Sequence, residues 1–74
     1  MNDEELRSLF IYIPGLGRYV DSVWYLKSNS SVSIHTLEHG GINVHQWVDH
    51  CLLKFGAFTT LEGAMQKALE VDKS

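Results

Sequence analysis

The sequence predicts an α+β domain, a small antiparallel β-hairpin or meander packed against two to three α-helices, with a mainly α arrangement as the alternative. Three observations carry that expectation. Residues 18–27, RYVDSVWYLK, are dense in β-branched and aromatic side chains and alternate in polarity. Val44, Trp47, Val48, Cys51, Leu52 and Phe55 recur at the spacing of one helical face. Thr59 and Glu62 stand three apart at the head of an apolar run, the pattern of a capping box. The 74 residues make a single small globular domain over 1–74. A chain this short sits near the lower end of what folds alone, so dimerisation is an easy way to enlarge its core.

At the start of the chain, Asn2 or Asp3 is placed to cap a helix whose acidic opening, Asp3, Glu4 and Glu5, suits the positive end of the helix dipole. Leu6, Leu9, Phe10 and Ile13 form its apolar stripe, and Pro14 stops it near Tyr12 ahead of the turn-forming IPGLG. A short strand at FIYI is the competing reading. In residues 18–27, Val20, Ser22, Trp24 and Leu26 share one face of a strand and leave Tyr19, Val23 and Tyr25 on the other; a helix competes, because Val20, Val23, Trp24 and Lys27 also fit its period. SNSS at 28–31 reads as a turn into a second strand with Val32 and Ile34 on one face.

After the Gly40, Gly41 break, Asn43 is the expected cap of a helix running to Phe55 and closed by Gly56, with a glycine turn into a third strand at INV as the alternative. A last helix from Thr60 to about Val71 presents Leu61, Ala64, Met65 and Ala68 and pairs with its predecessor as a helical hairpin.

Composition narrows function mostly by exclusion. With 45% apolar and 20% charged residues the chain lies outside the composition of disordered segments. A net charge of −3 repels nucleic acid weakly and cannot imitate its backbone. The longest unbroken apolar run, Leu9 to Ile13, is far short of the roughly 20 residues that cross a bilayer. One cysteine closes no internal disulfide and no signal-peptide pattern opens the chain, so the expected location is a reducing cytoplasm, with no membrane partner.

All four histidines and the cysteine fall within 35–51, HTLEHGGINVHQWVDHC. His35, His39, His45 and His50 are therefore the candidate metal ligands, and their spacing argues against the role. His35 and His39 on a strand stand about 13 Å apart. His45 and His50 on a helix diverge by about 140°, and His50 and Cys51 by about 100°, too far for one to take the other's proton. Cys51 falls within the apolar stripe as a small buried hydrophobe. The imidazoles are thus expected to scatter in space, with no metal, no cofactor and no enzymatic activity. Four protonated imidazoles would still move the net charge from −3 to +1, which keeps a metal- or pH-responsive module as one alternative.

A second alternative is a nucleic-acid-binding regulator using the C-terminal helix pair. It is disfavoured because the final helix opens with TTLE, an acid where phosphates would be met, and because Arg7, Arg18, Lys27, Lys54, Lys67 and Lys73 are dispersed. GLG at 15–17 lacks the third glycine of a dinucleotide fingerprint and reads as a turn. What stays unexplained is apolar surface in outward positions. The favoured expectation is a small protein–protein interaction module, an adaptor or an inhibitor of a larger protein, that docks an aromatic face onto another protein or onto a copy of itself as a homodimer. Its surface comprises Tyr19, Val23, Tyr25, His35 and Leu37, with Leu53, which points away from the helical stripe, as a further contact.

Overall fold

A computed structural model describes residues 2–15 and 17–73. The first helix, α1 (Asp3–Ser8), is capped as its sequence demands: the Asn2 side chain accepts from the Glu5 N–H at 2.8 Å, and three acids occupy the first turn. It ends at Leu9, short of Tyr12, and strand β1 (Phe10–Pro14) follows, so FIYI is extended. Ile11 and Ile13 favour that state, because β-branched side chains pack well on a pleated surface. Pro14 ends an edge strand, where its missing donor costs nothing.

β2 (Val20–Leu26) pairs antiparallel with β1, setting Ile11 opposite Tyr25 and Ile13 opposite Val23. The connection closes tightly. The Gly15 N–H donates to the Asp21 carbonyl at 2.8 Å, and a Cβ at Gly15 would stand 1.9 Å from the Val20 carbonyl oxygen, so only glycine fits. The expected turn at IPGLG includes Leu16, which lies outside the described residues, as does the middle of GLG. β3 (Asn29–Leu37) follows a turn at 27–28, where Asn29 Oδ1 accepts from the Ser31 N–H at 3.1 Å. Beyond Gly40, at φ 98°, come β4 (Ile42–Val48) and β5 (Cys51–Phe58). The five strands form one antiparallel sheet in the order β1-β2-β3-β4-β5.

α2 (Leu61–Lys73) crosses one side of this sheet, touching β3, β4 and β5 and packing against α1. Ala64 and Ala68, both fully buried, let its backbone approach the strands, and Met65 and Val71 fill the space between Val32, Ile34 and Val44. Leu6 closes the core over Phe10 and Leu26. Beside it, Trp24 Nε1 donates to Ser22 Oγ at 3.1 Å, and Ser22 and Thr36 hydrogen-bond across the strands, which satisfies the buried hydroxyl of Ser22. The α2 cap is Thr60, whose Oγ1 accepts from the Gly63 N–H at 3.1 Å, one residue after the expected Thr59. Glu62, the other half of the expected box, pairs instead with Arg7 of α1 at 2.8 Å.

The architecture overturns the expectation of a hairpin or meander against two to three helices, and the mainly α alternative with it. Residues 43–56 are a β-hairpin, not a helix, and the C-terminal helix pair does not exist. The reason lies in the turn. Asp49 and His50 sit at φ 49° and 67°, both in the left-handed region, as the centre of a two-residue hairpin turn requires. Asp and His adopt that region more readily than most residues, yet they do not announce a turn as Asn-Gly would. Asn43, expected as a helix cap, and Gly56, expected as its close, are a paired position in β4 and a positive-φ position in β5.

His50→Gly tests this hairpin by sign. Relief of the left-handed strain should raise stability by about 0.5–1 kcal/mol in urea unfolding, whereas glycine in a helix would lower it by about 1 kcal/mol.

Candidate interaction surface

Strand alternation divides the sheet into two unlike faces. Phe10, Trp24, Leu26, Val32, Ile34, Ile42 and Val44 face the helices. The opposite, open face carries the pairs Ile11–Tyr25, Ile13–Val23, Val23–His35, Tyr25–Ser33, Ser33–His45, His45–Lys54 and Trp47–Leu52. An antiparallel sheet with a solvated face normally makes that face polar. Here Ile11 is 49% exposed, Trp47 56% and Leu52 40%, and among the described residues neither helix lies over them. At one end of this face Ile13, Pro14, Val20, Val23, Tyr25 and His35 line an apolar hollow of about 340 Å³.

Near the centre of the open face two imidazoles meet. The rings of His35 on β3 and His45 on β4 lie 4.4 Å apart between centroids and are tilted by 38°. They occupy diagonal positions of the ladder, since His35 pairs with Asn43 and His45 with Ser33. His35 Nδ1 and His45 Nε2 are buried and have no hydrogen-bond partner. A neutral ring tolerates that by leaving the bare lone pair on the orphan nitrogen; a protonated ring cannot, because both nitrogens then carry hydrogens. Burial accordingly pushes both rings below the ordinary histidine value, and the His35 and Lys54 charges push His45 down further.

Metal binding needs more than this pair, since zinc takes about four ligands. Among the described residues no three His, Cys, Asp or Glu side chains gather as ligands. His39 and His50 lie in the turns after β3 and β4, away from the pair. The expectation that the imidazoles scatter is therefore corrected for two of the four.

Of the residues expected to form the surface, Val23, Tyr25 and His35 lie together on the open face, half-buried, and Leu37 continues it at the end of β3. Tyr19 precedes β2, is 74% exposed, and its carbonyl accepts from the Glu38 N–H at 2.9 Å. Leu53 does not join them. It pairs with Gln46, which pairs with Val32, so it lies on the helix side, 44% exposed. Cys51, expected to be buried, is exposed on the edge strand. The helical reading of 43–56 hid Trp47, Leu52 and His45, because the alternation of Ile42 and Val44 against Asn43 and His45 breaks at Gln46 and Trp47 and does not mark the strand.

The histidine pair predicts a pH dependence. Above the unfolded value of 6.5 both rings are neutral in either state; below it the unfolded chain binds protons that the folded chain resists, so stability falls as pH drops below 6.5. The urea midpoint should decline over that window in the wild type and much less in a His35→Gln, His45→Gln double variant. An equal decline in both would show that these rings are not responsible. The Arg7–Glu62 pair acts at lower pH, because Arg7 holds the Glu62 carboxyl below its ordinary 4.5.

Comparison with known protein families, with curated proteins and with solved structures finds no match for this chain.

Proposed function

We propose that this chain is a protein–protein interaction module, an adaptor or inhibitor that presses the open face of its sheet onto a protein surface. It works by contact and carries out no covalent chemistry, and its place is a reducing cytoplasm, where an exposed thiol such as Cys51 stays reduced. Among the described residues no helix is long and apolar enough to cross a membrane.

The observation that supports the reading is the character of the open face: Ile11, Ile13, Val23, Tyr25, Trp47 and Leu52 flank a middle of Ser33, His35, Asn43 and His45 in which one nitrogen of each imidazole is already buried without a partner. Tryptophan and tyrosine in such a setting supply large contact area at small entropic cost, and they dominate measured binding energies. The apolar hollow beside Tyr25 offers a place for an inserted side chain. Nucleic acid finds less here. The first helix of the pair that would have met it is a β-hairpin, and α2 carries Glu62, Glu70 and Asp72.

Affinity capture from the native host with the wild type, Trp47→Ser and Tyr25→Ser provides the test, with Glu70→Ser on the helix layer as control. Capture of the specific partner should weaken at least roughly tenfold in either face variant and persist in the control. If both face variants retain wild-type capture while their circular dichroism shows a folded chain, the open face is not the docking surface.

A further inference from the structure

Two properties of the open face select what covers it. The first is charge. None of its cross-strand pairs contains Asp or Glu, and Lys54 is the one formal charge among them. Six of the nine acidic residues, Asp3, Glu4, Glu5, Glu62, Glu70 and Asp72, ride instead on the two helices behind the sheet. Two copies placed face to face put their acidic layers on opposite outer sides, although each chain carries a net charge of −3. A partner chosen by charge finds almost nothing to read.

The second property is size. The molecule is a slab of 32 × 31 × 19 Å. Five strands about 4.8 Å apart and about 23 Å long give a face of roughly 550 Å² in projection, and more once side-chain relief is counted. A stable interface takes about 800 Å² from each partner, so the occupant must cover nearly the whole face. A single helix or peptide does not; another flat sheet at about 10 Å does.

On the reading of this face as a docking surface, we infer that it packs against the same face of a second copy, with the helices outermost, and that protonation of the adjacent His35 and His45 releases the dimer. β3 is the middle strand of the five, so His35 lies near the centre of the contact however the copies are rotated. The groups facing the pair are Val23 and Tyr25 from β2, Ser33 from β3, Asn43 from β4 and Lys54 from β5, while β1 brings Ile11 and Ile13. Tyr25 and Lys54 are the titratable ones, and none is a carboxylate. Asp21, Glu38 and Asp49 stand at the β2 bulge and in the turns, at the ends of the strands. Protonation therefore places up to four imidazolium charges, two from each copy, in a desolvated contact without a counter-charge, and turns His35 Nδ1 and His45 Nε2 into donors without acceptors.

Sedimentation equilibrium of the full chain, with tryptophan emission followed against concentration, tests both parts. At about pH 7.5 the wild type should sediment at twice 8.4 kDa, and its emission should shift to the blue on association as Trp47 leaves water. At about pH 5.5 the dissociation constant should rise at least roughly tenfold, and the His35→Gln, His45→Gln variant should lose that rise. A wild type that stays monomeric at millimolar concentration overturns the second copy as occupant, while the capture experiment still decides whether the face docks another protein. A dimer that Trp47→Ser leaves unweakened, or that forms without the emission shift of the unaltered protein, belongs to another surface, the β5 edge first. A dimer of equal strength at both pH values overturns release by protons alone.

Discussion

A single helix of thirteen residues has to roof a five-stranded sheet, and this constraint shapes the rest of the molecule. Such a helix is about 20 Å long and about 10 Å across, enough to shield about two or three strands spaced 4.8 Å apart. α2 therefore covers β3, β4 and β5, and the short α1 is needed to close Leu6 over Phe10 and Leu26. Even so, Tyr12 and Leu53 on the helix side remain half in solvent. Among the described residues no element is left for the second face, yet the strands carry apolar side chains on that face too.

The sequence shows the covered half of the molecule more plainly than the open half. Asn2 with its acidic first turn, the alternation of Ser22, Trp24 and Leu26, and the stripe of Ala64, Met65 and Ala68 are local signals that the structure uses. Val20, expected on the same face as Trp24, is instead turned by a bulge at Asp21 to pair with Leu37 and line the open-face hollow. Residues 44–55 carry two periods at once. Val44, Trp47, Val48, Cys51, Leu52 and Phe55 satisfy a helical repeat, while Val44 and Phe55 serve the core and Trp47 and Leu52 pair on the far face. What decides between the periods is pairing with β3, a relation between distant residues that no window of sequence contains. Part of the candidate site was legible for the same reason. Val23, Tyr25 and His35 belong to the hairpin that alternation reveals, whereas His45, Trp47 and Leu52 belong to the hairpin that it conceals.

The histidines show how one wrong element misplaces chemistry. On a helix His45 would look away from everything on β3; on β4 it sits one diagonal step from His35, and the rings meet. Contact in this case makes the pair poor at holding a proton. Two imidazoles without a carboxylate in their surroundings are stable only while neutral, so a site that looked like a ligand set is an apolar patch with a titratable centre.

The meander order has a kinetic consequence. Every strand finds its partner in the segment just before or after it, so each pairing closes a short loop and little chain entropy is lost before the contact forms. The long closure is the docking of α1 onto α2, where Arg7 meets Glu62 across nearly the whole chain. Assembly can thus proceed hairpin by hairpin through the sheet, with the joining of the two terminal helices as the step most sensitive to chain length.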